Sequence, residues 1–294
     1  MKFCDHRPMN TDIRLFTAKV YNFLSRIFLI CLTLYAVACI GCASFQRKLI
    51  YYPAIYTSEQ VDDMAQSAKI QRWRNFSGEP IGMKRPSPRQ PSERQILVVY
   101  GNGSSAVSCA HYANDIQKLA AFDVFILEYP GYEDRPGKPT QKNLFHAADE
   151  AIQLLETNKP VYLVGESLGT GVASYLAGTH SNMVAGVVLI APFTRLTDAA
   201  QYHFPWLPVR LLLVDRFPSE VYLRNYHGPL GVLVGGADRV VPEKLGIRLY
   251  DGFNGPKRLW EFPQDGHGDL FGRLPDVWGQ LMELWQTNHT AALK

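Results

Sequence analysis

Short apolar runs alternate with longer amphipathic segments along most of this chain. The runs are rich in Val, Ile and Leu, and they predict strands at residues 96–100, 124–127, 161–164, 184–190, 230–234 and 258–261. The segments between and after them predict helices at residues 107–121, 144–157, 168–179, 243–250 and 276–285. Strands that alternate with helices in this way indicate an α/β fold, with a mostly parallel sheet and helices on both of its faces.

Two regions depart from this alternation. Ahead of the strands, residues 70–75 and 81–84 predict a β-hairpin around Ser77-Gly78. After Ala191-Pro192, which follows the sixth strand when the hairpin is counted, roughly 35 residues of aromatic and proline-rich sequence appear. We predict that these residues form a short insertion over the edge of the sheet, and that one domain contains all of these elements.

The N-terminal region carries a separate signal. Residues 27–46 are uncharged and mostly apolar, with basic residues before and after them. About 20 such residues can just span a bilayer, so an uncleaved anchor is one interpretation. Basic residues before an apolar segment and small residues after it also fit a signal peptide, which would start at Met1 or Met9. Both interpretations predict a membrane-directed segment, and residues 45–53 are expected to form a linker to the domain.

The end of the apolar segment favours one form of tether. Residues 38–44, Ala-Cys-Ile-Gly-Cys-Ala-Ser, resemble a bacterial lipobox, in which a small residue precedes the cysteine that is lipidated after cleavage. We therefore predict Cys42 as the lipidation site, residues 1–41 as a signal peptide or anchor, and residues 42–294 as the catalytic domain. The protein would then face the periplasm of a bacterium, and Ala43 resembles an outer-membrane sorting signal in a Gram-negative cell. An ordinary secreted protein is the remaining alternative.

Composition and charge differ between the two parts of the chain. The chain has 294 residues, of which 47% are hydrophobic and 19% charged, and this composition excludes a disordered chain. The excess of 30 basic over 27 acidic residues comes from residues 1–41, so the rest carries 25 of each and predicts no general attraction to nucleic acid. Cys109 is the single cysteine after Cys42, so no disulfide is expected within the domain, and the redox compartment stays open.

The strongest chemical signal is Gly165-Glu166-Ser167-Leu168-Gly169, between a predicted strand and a predicted helix. A G-x-S-x-G segment at such a junction is typical of a nucleophile elbow, because glycines on both sides allow the chain to turn sharply around the serine. We therefore predict Ser167 as a nucleophile. The alternative is an ordinary strand-to-helix turn.

A serine hydroxyl needs a base within hydrogen-bond reach and an acid that orients this base. In chains with this elbow both follow the serine, and the acid comes first. His267 lies in a glycine-flanked loop, whereas the other histidines lie in the N-terminal segment, predicted helices, the insertion region or the tail. Asp238 follows the strand at 230–234 and precedes His267 by 29 residues. We predict His267 as the base and Asp238 as the acid, with Asp215 as the chief rival of Asp238.

The negative charge of an acyl-transfer intermediate needs two backbone N–H donors. Leu168, directly after the nucleophile, would supply one. The other is expected from the loop Tyr100-Gly101-Asn102-Gly103-Ser104-Ser105, whose glycines let its amides turn toward the serine. Asn102 or Gly103 is the predicted donor, although Gly-Asn-Gly is also a common turn.

Taken together, these residues resemble the alpha/beta-hydrolases, and within them the serine-hydrolase branch that includes membrane-associated depalmitoylase-like enzymes and bacterial lipoprotein hydrolases. The resemblance extends from about residue 45 to residue 285. Besides the elbow, it includes Leu49-Ile-Tyr-Tyr-Pro53, Glu128-Tyr-Pro-Gly-Tyr132, Ala191-Pro-Phe-Thr-Arg-Leu-Thr-Asp198, Asp215-Arg-Phe217, Asp238-Arg-Val-Val-Pro242 and Gly266-His267. It implies the alpha/beta-hydrolase fold, with Ser167, Asp238 and His267 as the triad.

One position departs from the family pattern. Family members usually carry His-Gly-Asn where this chain has Tyr100-Gly101-Asn102. The backbone donors are expected to remain, whereas the usual support of this loop is expected to be lost.

The expected activity is that of a membrane-tethered serine hydrolase acting on a small acyl ester or thioester, without a metal or an organic cofactor. Two alternatives stay open: a catalytically silent lipoprotein of the same fold that binds a lipid or protein partner, and a peptidase or acyltransferase that uses the same triad. Phe204, Trp206 and Leu207 of the insertion either cover an acyl pocket or pack as ordinary core residues.

Overall fold

The structure is a computed structural model that describes residues 9–289. The chain divides into two compact units, Met1–Gln46 and Arg47–Lys294. The first eight residues of the predicted signal segment, including Cys4, lie outside the described residues.

Helix α1, Met9–Ile50, contains the whole apolar segment and the predicted lipidation site Cys42. Its part from Ile13 to Ile50 is long and apolar enough to cross a membrane, although a signal sequence near the N-terminus passes the same test. The expected linker at residues 45–53 is wrong in its first part. The helix continues to Ile50, and the N–H of Tyr51 still donates to the carbonyl of Arg47 at 2.9 Å.

The second unit is built around one sheet of eight strands. The strands are β1 Gln71–Arg74, β2 Pro80–Arg85, β3 Gln95–Val99, β4 Asp123–Leu127, β5 Val161–Glu166, β6 Val184–Ile190, β7 Leu230–Gly235 and β8 Lys257–Phe262. They are arranged in the order β1-β2-β4-β3-β5-β6-β7-β8, with β2 antiparallel to β1 and β4 and all other pairs parallel. The predicted hairpin and mostly parallel sheet are confirmed.

The topology determines where a site can form. The chain leaves β3 toward β4 on one side and returns to β5 on the other, so the order reverses between β3 and β5. Ligands of open α/β sheets bind outside the carboxyl ends of the strands at such a reversal. The segment Tyr100–Ser105 follows β3 and Ser167 follows β5, so both predicted catalytic segments lie there.

Helices cover both faces of this sheet. They are α2 Ser58–Ala68, α3 Ala110–Leu119, α4 Gln141–Gln153, α5 Leu168–Thr179, α6 Leu196–His203, α7 Val209–Leu212, α8 Ser219–Tyr222, α9 Glu243–Asp251 and α10 Leu274–His289. Helix α3 packs with α10, and α4 packs with α5. The sequence reasoning missed α2, although Thr57 and Gln60 form a capping box whose T-x-x-Q spacing is a local start signal.

The insertion after β6 forms the short helices α6, α7 and α8. Its position after the sixth strand is confirmed, whereas its expected place over the sheet edge is wrong. The end of the insertion packs on α5, since a Cβ on Gly171 would lie 2.8 Å from the Cβ of Phe217. Strand β6 is an interior strand, and the part of the insertion around Phe217 covers helix α5 rather than an edge.

Alanine is expected to have opposite effects at two helical glycines, one at the contact between α5 and α8 and one on an open face of α10. A Cβ on Gly178 in α5 would lie 2.2 Å from the carbonyl oxygen of Tyr222, whereas a Cβ on Gly279 in α10 would meet nothing within 4 Å. Gly178→Ala is expected to lower the free energy of unfolding by about 1–3 kcal/mol, because α8 must move. Gly279→Ala is expected to raise it by up to about 1 kcal/mol, because alanine has the higher helix propensity.

Thermal unfolding of the detergent-solubilised chain checks both effects. A Gly178→Ala protein that melts with or above the wild type would show that the α5–α8 contact does not limit stability.

Candidate active site

Ser167 lies at a strained turn between β5 and α5. Its φ of 47° lies in the left-handed region, which a residue with a side chain rarely adopts. The flanking glycines permit the turn: a Cβ on Gly169 would lie 2.0 Å from the carbonyl oxygen of Val99, and one on Gly165 would lie 2.8 Å from the Cβ of Ala173. The junction therefore has the geometry of a nucleophile elbow, in which the first turn of α5 packs on the end of β3.

The structure brings the three predicted residues of the triad together. The Nε2 atom of His267 lies 3.0 Å from Ser167 Oγ, and its Nδ1 atom lies 2.7 Å from Asp238 Oδ2. An ionised carboxylate can only accept hydrogen bonds, so Nδ1 of His267 donates and Nε2 of a neutral ring is left to accept the serine proton. The arrangement can transfer a proton from serine to histidine.

Asp238 is fixed by the loop after β7. Its Oδ1 atom accepts the N–H groups of Val240 and Val241, both at 2.8 Å, and its side chain is 1% exposed. The second oxygen is therefore the one available to His267. His203 of the insertion adds a contact to the same loop, since its Nε2 atom lies 2.8 Å from the Val240 carbonyl oxygen.

The other carboxylates near these positions have different partners. Asp265 forms a two-point ion pair with Arg273, at 2.6 and 2.9 Å, and Asp269 accepts the N–H of Gly266 at 2.8 Å. The rival acid Asp215 accepts the hydroxyl of Tyr51 at 3.0 Å and pairs with Arg47 at 3.3 Å. The structure thus places Asp238, and not Asp215, at His267.

The predicted oxyanion donors lie on both sides of Ser167. The N–H of Leu168 belongs to the first turn of α5, where helical N–H groups have no carbonyl partner within the helix. The loop after β3 comes close to the serine, because a Cβ on Gly101 would lie 3.2 Å from the Cβ of Ser167. Asn102 and Gly103 follow directly, and Gly103 has a φ of 79° that suits glycine. The chain can therefore present amides from two elements near one point.

The expected loss of support at Tyr100 is corrected by the structure. Tyr100 is fully buried, and its hydroxyl donates to Glu128. Glu128 also accepts the N–H of Ala106 at 2.8 Å, at the far end of the loop, and the N–H of Tyr129 at 2.9 Å. Burial and the neighbouring Glu133 raise the pKa of Glu128 well above its usual 4.5. Tyr100 and Glu128 thus form a hydrogen-bonded pair that supports the loop. The resemblance to the family did not predict this pair.

Glu166 is a second residue that the sequence reasoning left without a role. It is buried beside the nucleophile, where Oε1 accepts the N–H of Gly101 at 3.2 Å and Oε2 accepts the hydroxyl of Tyr112 at 2.7 Å. Glu166 therefore connects the loop after β3 to the elbow through hydrogen bonds. A carboxylate at the end of an apolar strand was the available signal for both Glu166 and Glu128, because buried charges are rare unless they have partners.

The insertion contributes both exposed and buried apolar groups. Phe204 and Trp206 are 48% and 57% exposed, whereas Leu207 is buried. Burial therefore agrees with ordinary packing for Leu207, whereas about half of each aromatic side chain is exposed.

Comparison with known proteins identifies the fold that the sequence predicted. The sequence profile described as the alpha/beta hydrolase fold matches residues 95–235. An uncharacterized protein of Mycobacterium tuberculosis is 32% identical over 240 residues, which cover 79% of this chain and 84% of that protein. The lysophosphatidylserine lipase ABHD12 of Danio rerio is 25% identical over 205 residues, or 58% of this chain and 53% of that protein.

Solved structures show a similar fold. The esterase Pf2001 of Pyrococcus furiosus superimposes with a TM-score of 0.57 at 13% identity, covering 81% of this chain and 99% of that chain. At this identity the likeness shows the fold alone.

The burial of Glu166 predicts a pH effect on stability. Burial raises its pKa above the usual 4.5, against the lowering effect of Tyr112, Gly101, His111 and His267. A pKa that is raised by folding gives stability that is fully present below the unfolded pKa and is lost as the pH rises through the folded pKa. Glu166→Gln keeps an acceptor for Gly101 but does not ionise, so its melting temperature relative to the wild type is expected to rise with pH above about 4.5.

Melting temperatures measured from pH 4 to pH 8 check this, with the exposed Glu261→Gln as the matched control. The attribution to Glu166 is lost if both variants follow the wild-type pH dependence.

Proposed function

The chain belongs to the alpha/beta-hydrolase family, and on this premise we propose that it is a membrane-tethered serine hydrolase that cleaves carboxylic ester or thioester bonds. The observation that carries the proposal is the hydrogen-bonded series Ser167–His267–Asp238, with 3.0 and 2.7 Å between its members. Such a series activates a serine that would otherwise be a poor nucleophile.

In the first half of the proposed reaction, Ser167 Oγ attacks the carbonyl carbon of the substrate while His267 Nε2 accepts the serine proton. The carbonyl oxygen becomes an oxyanion that accepts the N–H groups of Leu168 and of Asn102 or Gly103. Asp238 accepts the Nδ1 proton of His267 and stabilises the imidazolium. When the tetrahedral intermediate collapses, His267 gives its proton to the departing alcohol or thiol, and the acyl group stays on Ser167.

The second half repeats these steps with water. His267 accepts a proton from the water that attacks the acyl-serine, and the same amides stabilise the second oxyanion. Collapse returns the proton to Ser167 and releases the carboxylic acid. The residues required for this cycle are all contributed by one chain.

Two features support an apolar acyl substrate. Phe204 and Trp206 are half-exposed on the insertion, whose residue His203 contacts the loop of the catalytic acid. In addition, one relative is named a lysophosphatidylserine lipase, which is a lipid ester hydrolase by that name. The narrower resemblance to depalmitoylase-like enzymes stays a prediction, which thioester substrates would test.

The same triad could also serve a peptidase or an acyltransferase, because a fold does not fix the substrate. Profiles of acyl-chain length, leaving group and acceptor distinguish these activities from ester hydrolysis. The catalytically silent alternative depended on Tyr100, and the bond from Tyr100 to Glu128 removes its supporting observation.

A fluorophosphonate probe is expected to label the wild type and not Ser167→Ala. Labelling requires a nucleophilic serine, so loss at this position alone identifies the nucleophile.

Asp238→Asn is expected to lower kcat for a soluble ester by about 10³–10⁴, because the ring of His267 loses the partner that fixes its tautomer.

Ser181→Ala, an exposed serine just beyond α5, is the matched control and should keep both labelling and turnover. An unlabelled wild type, or equal labelling of Ser167→Ala, would contradict the proposed enzyme.

For the tether, we propose that Cys42 is lipidated in a bacterial envelope after removal of residues 1–41. Mass spectrometry of the mature chain should then show a diacylglyceryl group on Cys42. Cys42→Ser should abolish this mass, and Cys31→Ser, which lies in α1 outside the lipobox-like segment, should retain it. An intact N-terminus at Met1 or Met9 would refute cleavage and favour the uncleaved anchor.

A further inference from the structure

Asn102, whose backbone is a proposed oxyanion donor, forms its side-chain hydrogen bonds outside its own loop. The Nδ2 atom donates to the carbonyl oxygen of Ile50. The Oδ1 atom accepts the N–H of Tyr52 at 2.9 Å and the hydroxyl of Tyr132 at 2.8 Å. Two of these three partners belong to residues 47–52, which we call the strap.

The other side of the strap is also held by hydrogen bonds within its own unit. Tyr51 is buried, and its hydroxyl donates to Asp215 Oδ2 at 3.0 Å. Arg47 pairs with the same oxygen at 3.3 Å, and the side chain of Asp215 is only 5% exposed. The strap therefore connects a buried carboxylate at one end with Asn102 at the other.

We propose that the strap is a positioning element of the active site, which fixes the side chain of Asn102 and thereby the oxyanion-donating amide of the loop. This inference rests on the proposed function. It adds that turnover depends on the position of residues 47–52 in the folded domain. It makes the end of α1 part of the support of the active site, acting through Asn102 rather than on the substrate.

The loop needs such a support because of its composition. Asn102 lies between two glycines, which leave the backbone more conformational freedom than any other residue would. Glu166 holds the N–H of Gly101, but a Cβ on Gly103 would meet nothing within 4 Å, so packing does not fix the outer side of the loop. The three hydrogen bonds of Asn102 restrict the segment between these two points.

The arrangement also provides a hydrogen-bond partner for a carbonyl group at the end of α1. The last carbonyl groups of a helix have no partner within the helix. One of them, from the final residue Ile50, accepts Asn102 Nδ2, so a single side chain caps the helix and supports the loop. Cleavage before Cys42 would leave all of residues 47–52 in the mature chain, so both forms of the tether would retain the strap.

The test compares substitutions at both ends of the strap in the full-length, detergent-solubilised protein. Asn102→Ala removes the three side-chain bonds and keeps the backbone amide. Tyr51→Phe removes only the hydroxyl that binds Asp215 and keeps the ring, so its packing is retained. Tyr175→Phe lies outside the strap and likewise removes a tyrosine hydroxyl that donates to a carboxylate, Asp149 Oδ2 at 2.8 Å, so it is the matched control.

The measurements are kcat and KM for a soluble ester, and the inhibition constant of a trifluoromethyl ketone that forms an oxyanion on Ser167. Removal of one oxyanion donor costs about 10²–10³ in kcat, so a misplaced donor in Asn102→Ala should cost about 10–100-fold. KM should change by less than about threefold, and the affinity for the ketone should fall in parallel with kcat. Tyr51→Phe should show a smaller loss of the same kind, and Tyr175→Phe should show none.

Two results would overturn the inference. One is a kcat within about threefold of the wild type in both Asn102→Ala and Tyr51→Phe. The other is a loss of kcat without any loss of affinity for the ketone, which would indicate a general structural effect. A wild type without turnover or fluorophosphonate labelling would instead sink the proposed function, so the two failures are distinguishable.

Discussion

The backbone turn at Ser167 is the constraint on which the active site depends. A positive φ at a residue with a side chain is unfavourable, and it persists only because the surroundings leave no alternative. Gly165 and Gly169 provide those surroundings, since each makes a contact that a Cβ would prevent. The turn places the first amide of α5, that of Leu168, directly after the serine. The end of β3 then packs against the same turn.

Buried carboxylates determine the shape of the loop beside this turn. Glu166 holds the beginning of the loop through the N–H of Gly101, and Glu128 holds its far end through the N–H of Ala106. Burial removes both carboxyls from water, which disfavours their charged forms and therefore raises the pKa of each. Each therefore has several hydrogen-bond partners, as a buried polar group requires. The substitution of Tyr100 for the usual histidine belongs to this network, and it changes how the loop is supported rather than whether it is supported.

The N-terminal segment has two distinct relationships to the rest of the protein. Its apolar part has the length and composition of a membrane span or a signal, as expected from the sequence. Its last turn, in contrast, is bonded to Asp215 through Arg47 and to Asn102 through Ile50, and is not the linker that the composition suggested. Asp215 was considered as a catalytic acid because it precedes Asp238 along the chain. Its position against Tyr51 shows that a buried carboxylate in this fold can instead hold a segment that reaches the site.

The sequence by itself determined the strands, most of the helices, the elbow and the three residues that meet at it, because each depends on a local pattern: apolar periodicity, glycine spacing, or a loop after a strand. Tertiary structure alone decided that the insertion covers α5, that Tyr100 binds Glu128, and that Asn102 and Asp215 hold the end of α1. These contacts join residues far apart along the chain, 52 positions for Asn102 with Ile50 and 164 for Tyr51 with Asp215. No local pattern encodes such a pairing, since it results from the folding of the sheet, which brings the carboxyl end of β3 next to the chain that enters the domain.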